Sequence, residues 1–470
     1  MPENFKSTIY WILPELLASL GFLLAIIFVA HLLRQKRSPS STVSWLLVIL
    51  LLPYVGVPLY LMFGGRKMSR MAGRKERMYT KSAARQLGIL EGQTERLLFS
   101  YGVPPATPGN RVTLVSDGVD AYRQMMLMID EARTSIHITS YILGRDAVGA
   151  ALIERLCKRA EEGIAVRLLL DDVGSWRVGR RTLAPLVAAG AKVAFFMPML
   201  HLPFRGRTNL RNHRKLVVVD GRIAITGGMN LAIPYMSSDP KDSLWRDLSV
   251  IVEGPGVADI EALFESDWKF TTQENLAESR STERPKVPVR HGSAVLQVVA
   301  SGPDVSGDPL YEALLSLIFA AKQRIWIVTP YFVPDETLSR ALNLAARRGV
   351  DVRLVVPERS NHLTADLARA SYLRDLCNAG GNVLFYQPTM LHAKAVLFDE
   401  QLAVIGSANM DMRSLFLNYE LALFIYSSDL VKLTSTWAES LMKDCLPELP
   451  VPNRWRELAE NVVRLLSPLL

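Results

Sequence analysis

The apolar pattern of this chain changes character along its length. From Thr8 to Leu33 ("TIYWILPELLASLGFLLAIIFVAHLL") and from Val43 to Phe63 ("VSWLLVILLLPYVGVPLYLMF") the sequence is almost continuously apolar. About 20 apolar residues suffice for a helix to cross a bilayer, so both runs predict membrane-spanning helices. Pro53, Gly56 and Pro58 predict a kinked or broken second helix, because proline removes a helical donor and clashes with the preceding turn. A secretory signal fits poorly: only Lys6 precedes the first run, the run is too long, and no A-x-A site follows.

From about Arg111 the pattern becomes that of an α/β protein, and it repeats. "EARTSIHITSYIL" (Glu131–Leu143) matches "AAKQRIWIVTPYFV" (Ala320–Val333), each a helix end followed by a β-branched and aromatic strand. A helical pattern comes next in both copies, closed by Gly163 and Gly349, the usual helix stop. Then "GIAVRLLLD" matches "GVDVRLVVP", a buried strand. Alternating strands and helices imply mostly parallel sheets with helices on both sides.

The pattern divides the chain into two apolar helices (1–65), a basic juxtamembrane linker (66–110), a first α/β half (111–270), a polar linker (271–293), a second half (294–450) and a C-terminal amphipathic helix (451–470). In that last helix Trp455, Leu458, Val462, Leu465 and Leu469 share one face, suited either to a membrane surface or to packing on the second half. A chain beginning near Arg111 is expected to fold by itself, since the repeat closes its own core.

Charge narrows the partners. The formal net charge of +8 favours an acidic partner, either anionic lipid or nucleic acid. The cluster Arg66, Lys67, Arg70, Arg74, Lys75 and Arg77 should stay cytoplasmic and hold the following domain against an anionic leaflet. Arg34, Lys36 and Arg37 in the short link oppose a simple two-span topology, and a shallow hairpin that does not fully cross removes the conflict. Both arrangements leave the bulk of the chain in the cytoplasm. "FFMPMLHLPFRGRTNLR" could dip into a membrane interface while Arg205, Arg207 and Arg211 hold anionic headgroups; a buried strand followed by a solvated loop reads equally well. Cys157, Cys377 and Cys445 are far apart and imply neither a disulfide framework nor a zinc site.

The candidate chemistry lies in a motif that occurs once per half. "HRKLVVVDGRIAITGGMN" and "HAKAVLFDEQLAVIGSAN" share the spacing H-x-K-x4-D-x6-G-x2-N. Apolar alternation around Asp220-Gly221 predicts two strands joined by a tight turn. Successive strand side chains alternate faces, so His213 and Lys215 point the same way, as do His392 and Lys394. The glycines then bring Asn230 and Asn409 back toward these pairs. An imidazole, an ammonium and an amide together suit a tetrahedral phosphoryl group. A metal site fits poorly, because lysine is not a usual ligand and no cysteine or carboxylate completes a compact set. No P-loop or glycine-rich nucleotide fingerprint is present. Asp220 and Asp399 lie at the turn beyond the strand, which suits a local structural task. Asp247 in "WRD" and Glu420 in "LNYE" are better placed to orient a histidine.

The doubled H-x-K-x4-D motif resembles the signature of the phospholipase D superfamily. "WLLVILLLPYVGVPLYLMFG", "NLRNHRKLVVVDG", "WRDLSVIVEGP", "TPYFVPDETL", "LHAKAVLFD" and "SANMDMRSLFLNYE" together look like the bacterial cardiolipin synthases of that superfamily, over nearly the whole chain. Gly228 departs from the pattern, since the family more often has serine there.

The resemblance implies two phospholipase D-like α/β repeats with mixed, mostly parallel sheets packed face to face, preceded by two transmembrane helices. It implies one active site at their interface, with catalytic His213, Lys215, Asp220, His392, Lys394 and Asp399, and phosphate held by Lys215, Asn230, Lys394 and Asn409. His213 is expected to be the nucleophile that forms a phosphatidyl-histidine, and His392 the acid and base. The implied reaction joins two phosphatidylglycerols into cardiolipin and glycerol, with no cofactor and no metal. The implied partners are anionic phospholipid (phosphatidylglycerol, cardiolipin) and the membrane, with no nucleic acid. The implied location is the bacterial cytoplasmic membrane, multi-pass, with the catalytic halves facing the cytoplasm. A phospholipid hydrolase, a phosphatidylserine synthase or a nucleic-acid phosphodiesterase could use the same site. A membrane scaffold has no need for two intact motifs.

Overall fold

A computed structural model describes residues 19–33, 39–63, 75–79, 90, 92–198, 210–276 and 290–447, and in the C-terminal segment residues 455, 456, 458, 460 and 463. Two compact units result, one containing the N-terminal helices and one containing the α/β repeat.

In the N-terminal unit a helix at 19–33 is followed by helices Pro39–Leu51 and Pro53–Phe63. The second apolar run breaks at Leu52, as its prolines lead one to expect. Pro53 has no amide to donate, and the Val55 amide turns to the Leu52 carbonyl at 3.0 Å instead of bonding a full turn back. The chain then folds back so tightly that a Cβ on Gly56 would lie 2.4 Å from the Val48 carbonyl oxygen, which only glycine permits. Ala25, Leu32, Trp45, Ile49, Val57 and Tyr60 form a small core, whereas Phe22, Leu47, Leu51 and Val55 point outward. Among the described residues no helix is long and apolar enough to cross a membrane.

The α/β unit is built on one fifteen-stranded sheet. The first half contributes β1 (Thr107–Val115), β2 (Ser135–Ser140), β3 (Ala165–Asp171), β4 (Lys192–Phe196), β5 (Leu216–Val219), β6 (Ile223–Gly227) and β7 (Ser249–Glu253). The second contributes β8 (Ala294–Ser301), β9 (Arg324–Val328), β11 (Asp351–Pro357), β12 (Asn382–Tyr386), β13 (Ala395–Phe398), β14 (Leu402–Gly406), β16 (Glu420–Ile425) and β17 (Cys445–Leu446). A small separate pair joins β10 (Phe332–Val333) to β15 (Met410–Asp411).

The order in the first half is β1-β7-β6-β5-β2-β3-β4, and β8-β16-β14-β13-β9-β11-β12 repeats it. β1 pairs antiparallel with β8, so the halves meet edge to edge within one sheet. This corrects the expectation of sheets packed face to face. The expected parallel majority is also wrong. Within this sheet only β2-β3-β4 and β9-β11-β12 pair in parallel, each strand joined to its neighbour by a helical crossover. Elsewhere the ladder is antiparallel, as the tight β5-β6 and β13-β14 hairpins require.

The hairpin strands are buried on both faces. Leu216 and Val218 enter the core that extends through the second half, and Val217 and Val219 enter the core of the first half. Helices such as Gly118–Asp130 cover the sheet, with Ala121, Met125 and Ile129 turned inward and Asp117 capping the first amides.

The segment before β1 is more than a linker. Leu98 and Val103 are fully buried and Tyr79 nearly so, all within the second-half core. The Tyr79 hydroxyl accepts the Ala300 amide at 2.9 Å. Lys75 is buried against Asp267 and Asp304, at 2.7 Å from the latter, and Arg214 donates to the same Asp267 at 2.8 Å. Lys75 is therefore not a membrane-facing charge, and the repeat from Arg111 onward does not close its core alone.

Near the C-terminus, Trp455 and Leu458 are exposed. Glu460 is buried against Arg374 at 2.6 Å, and Val463 packs on the second-half core. This tether supports packing on the second half, with the Trp455–Leu458 face outward. Val462, Leu465 and Leu469 lie outside the described residues.

Candidate active site

Each motif histidine and its lysine sit just before a hairpin strand, His213 and Lys215 before β5 and His392 and Lys394 before β13. The short segments "NH" and "LH" form isolated parallel bridges with the opposite half. Asn212 bridges to Tyr419, and Leu391 bridges to Arg246. The amide of His213 donates to the Tyr419 carbonyl at 2.9 Å, and that of His392 donates to the Arg246 carbonyl at 2.7 Å. The residues that follow Tyr419 and Arg246 are Glu420 and Asp247.

The backbone thus fixes a crossed arrangement. His213 Nδ1 lies 3.0 Å from Glu420 Oε1, and His392 Nδ1 lies 2.6 Å from Asp247 Oδ2. Each histidine is oriented by a carboxylate of the other half. A carboxylate on Nδ1 fixes the tautomer and turns Nε2 toward the site. Tyr141 packs edge-on against His213 at 5.0 Å, and Tyr235 does so against His392 at 4.9 Å. Trp245 lies 5.6 Å from His392. Both tyrosines and Trp245 escaped the sequence reading, although Tyr141 stands in the repeated strand end "SYIL".

Lys215 Nζ donates to the His213 carbonyl at 2.8 Å. Lys394 Nζ lies 2.7 Å from His392 Nδ1 and also reaches the His392 carbonyl. Burial, reinforced by the neighbouring Lys394, pulls Lys215 down to about 7 against the pull of Glu420 and Asp247. Burial likewise brings Lys394 down to about 8. His213 is lowered chiefly by burial, and His392 falls to about 3 through burial and the Lys394 charge. Burial pushes Asp247 and Glu420 up, but the lysine and histidine charges outweigh it and leave both below the ordinary carboxylate range. The lysines of one motif feel the carboxylates of the other, so the four basic groups form one electrostatic cluster. Burial is what chiefly disfavours its protonated forms, and a bound oxyanion would favour them.

The two copies differ in detail. In the second half the Ser407 hydroxyl donates to Glu420 Oε2 and accepts the Leu421 amide at 3.0 Å. Gly228 takes the place of Ser407 in the first half. A Cβ there would lie 2.0 Å from Asp247 Oδ1. The shorter Asp247 approaches the backbone where the longer Glu420 leaves room for a serine.

Asn230 is buried, and its Oδ1 accepts the Ile142 amide at 3.2 Å. Asn409 is buried beside Lys394, and its Oδ1 has no hydrogen-bond partner among the described residues.

Asp220 and Asp399 stand at the far ends of β5 and β13. At strand rise the seven-residue separation from the histidines is roughly 20 Å. Asp220 adopts φ +55° with Gly221 at +61°, the conformation a two-residue hairpin turn demands. Its carboxylate accepts the amides of Arg133, Thr134 and Ser135 at 2.8–2.9 Å. Asp399 does the same for Lys322, Gln323 and Arg324. These aspartates secure the start of the neighbouring strand; a catalytic part for them does not fit this placement.

Arg211 is buried, donating to the Met197 carbonyl at 2.8 Å and paired with Asp171 at 3.3 Å, so it is not a headgroup contact on an open surface. Asp171 in turn accepts the Asn212 amide at 2.9 Å, which ties β3 to the first motif. Arg205 and Arg207 lie outside the described residues.

Comparison with known proteins gives the family. The family described as the cardiolipin synthase, PLD-like domain matches residues 125–268 and 314–442, and the phospholipase D-nuclease N-terminal family matches residues 23–65. A cardiolipin synthase of Alkalihalophilus pseudofirmus is 34% identical, with 96% of this chain and 93% of that protein aligned. The major cardiolipin synthase of Bacillus subtilis is 33% identical, with 98% of this chain and 99% of that protein aligned. Among solved structures, the phosphatidylserine synthase of Haemophilus influenzae superposes with a TM-score of 0.62 at 15% identity, covering 81% of this chain and 100% of that one, which speaks for the fold alone. The chain belongs to the cardiolipin synthase family of the phospholipase D superfamily.

Proposed function

We propose that this chain is a membrane phosphatidyltransferase that converts two phosphatidylglycerols into cardiolipin and glycerol through a phosphatidyl-histidine. The observation that carries this reading is the crossed pair of histidine–carboxylate contacts, which offers two oriented imidazoles and two lysines to one phosphate.

In the first step His213 Nε2 attacks the phosphorus of one phosphatidylglycerol. A P–N bond forms, the P–O bond to the glycerol headgroup breaks, and His392 delivers a proton to the departing oxygen. In the second step the hydroxyl of another phosphatidylglycerol gives its proton to His392, and its oxygen attacks the same phosphorus. The P–N bond breaks and cardiolipin leaves. Lys215 and Lys394 balance the charge on the non-bridging oxygens, and the amides of Asn230 and Asn409 donate to them. The diester's negative charge favours the protonated forms of this buried cluster, which lets His392 hold a proton when one is needed. Glu420 and Asp247 orient the imidazoles. Bond types are conserved between reactant and product, so no nucleotide and no metal is required.

The two N-terminal apolar segments anchor the chain in the bacterial cytoplasmic membrane, with the catalytic halves on the cytoplasmic side. The full-length relatives and the match at 23–65 support an N-terminal anchor.

The test is product analysis. Purified protein with phosphatidylglycerol as its only lipid, without nucleotide, should release cardiolipin and glycerol in equal amounts. Phosphatidic acid as the sole lipid product would replace transfer with hydrolysis. Loss of activity with a chelator and its return with a divalent ion would overturn the two-histidine chemistry.

A further inference from the structure

Between residues 75 and 447, the most exposed large apolar side chains described are Trp176 at 65% and Leu363 at 75%. They occupy nearly equivalent places in the repeat. Trp176 follows the carboxyl end of β3 and Leu363 follows the carboxyl end of β11, each within a few residues. Carboxyl ends of parallel strands are where α/β sheets place their ligands.

The first loop is tied to the wall of the active site, and the second is held by its own contacts. Ser175 Oγ donates to the Tyr141 carbonyl at 2.9 Å and accepts the Leu143 amide at 3.0 Å, and Tyr141 packs on His213. Gly174 lies so close to Tyr141 that a Cβ would meet its carbonyl oxygen at 2.2 Å. In the second half Tyr331 donates to the Asn361 side chain and packs at a tilt against His362, with ring centroids 5.5 Å apart. Asp366 accepts the Ser360 amide at 2.9 Å, closing that loop. These loops are built, and their apolar tips are held outward.

The rest of the Trp176 loop is basic, and the Leu363 loop carries Arg359 beside Glu358. Arg177 stacks over Trp176 at 5.5 Å, and Arg177, Arg180, Arg181 and Arg359 are exposed. An outward tryptophan among arginines, with an outward leucine as a second apolar point, suits the interface of an anionic bilayer, where the ring sits at headgroup depth and the guanidinium groups meet phosphate. A soluble protein partner would not need the charge excess of the Trp176 loop.

We propose that the Trp176 and Leu363 loops are a two-point dock onto an anionic lipid surface, and that they seat the mouth of the active site on the bilayer that supplies its substrate. This rests on the phosphatidyltransferase reading for the identity of the lipid.

The test uses the full chain reconstituted in phosphatidylglycerol vesicles containing brominated lipid. Tryptophan quenching should include a component that disappears in Trp176→Phe and shrinks in phosphatidylcholine vesicles. Kinetically, Trp176→Ser/Leu363→Ser should raise the apparent KM for vesicle phosphatidylglycerol roughly tenfold with kcat retained. Its turnover of monomeric short-chain phosphatidylglycerol should be unchanged. Arg177→Gln/Arg180→Gln/Arg181→Gln should flatten the salt dependence of the vesicle reaction. Equal quenching in the native protein and Trp176→Phe, or equal losses on vesicles and monomers, would overturn the proposal. Quenching without any cardiolipin from the native protein would remove the transferase reading and leave the dock standing.

Discussion

His392 Nδ1 lies 2.6 Å from Asp247 Oδ2, across 145 residues of sequence and from one half of the repeat to the other. His213 and Glu420 make the reciprocal contact at 3.0 Å. Each half therefore supplies one histidine and the carboxylate that orients the other, so neither copy is complete alone.

The crossing predicts how mutations combine. Asp247→Asn and His392→Ala should each lower kcat by roughly 10²–10⁴-fold, and together they should be little worse than His392→Ala. The same holds for Glu420→Gln with His213→Ala. Combining His213→Ala with His392→Ala should also add little to the worse single loss. The nucleophile assignment predicts a trapped acid-labile, base-stable phosphohistidine in His392→Ala and none in His213→Ala. The reverse pattern exchanges the two parts. Full activity in either single histidine variant would sink the shared site.

Gly228 is the place where the two copies cannot simply be made alike. In Gly228→Ser the added Cβ would fall 2.0 Å from Asp247 Oδ1, so the carboxylate must move away from His392. Turnover should fall at least about tenfold with little change in KM. Gly228→Ser/Asp247→Glu recreates the Ser407–Glu420 pair and should recover part of that loss. A Gly228→Ser enzyme with native kcat would show that Asp247 does not need its present position.

The lysines predict a pH signature. Lys215 is brought from 10.5 to about 7, and Lys394 from 10.5 to about 8. Between those values and 10.5 the unfolded chain binds more protons than the folded one, so the stability of the empty enzyme should rise with pH across that window. Anion binding runs the other way, since an oxyanion favours the protonated lysines. Sulfate, whose own charge does not change here, should bind with proton uptake near and above pH 7, where the lysines of the free protein begin to lose their protons. Its affinity should weaken by up to about tenfold per pH unit above about 8. Calorimetry in two buffers of different ionisation enthalpy measures the uptake, and Lys215→Met should reduce it. Binding without proton uptake at pH 8 would contradict the lowered lysines.

Much of the site could be read from spacing, because strand alternation alone puts His213 beside Lys215 and His392 beside Lys394. Asp247 and Glu420 also stood at matching points of the repeat. Which carboxylate reaches which histidine could not be read, since that depends on β1 meeting β8 edge to edge, and the contact leaves no periodic trace. Strand direction was misread for a related reason. Alternation of strands with helices describes β2-β3-β4 well but not the hairpin and edge strands that outnumber them. Arg211 and Lys75 looked solvated because each lies in a basic stretch. Their burial is decided by Asp171, Asp267 and Asp304, acids far away in sequence.

Lys75 offers the sharpest test of how the fold supports the site. Lys75 and Arg214 face Asp267 and Asp304 in a buried, charge-balanced group. Arg214 stands between His213 and Lys215 and donates to the Glu420 carbonyl at 3.1 Å, so the group sits directly behind the crossed histidine. Lys75→Met leaves an excess negative charge with no solvent, at a cost of roughly 3–5 kcal/mol, and should lower both the melting temperature and kcat. Lys75→Arg should retain most of both. Lys75→Met/Asp304→Asn restores neutrality and should be more stable than Lys75→Met alone. A chain truncated to begin at Arg111 loses Lys75, Tyr79, Leu98 and Val103 together and should aggregate or melt without cooperativity, whereas one beginning near Met71 should fold. Circular dichroism melts and size-exclusion profiles of the two truncations decide the matter. A monomeric, cooperatively melting chain from Arg111 would show that the segment before β1 is dispensable to the fold.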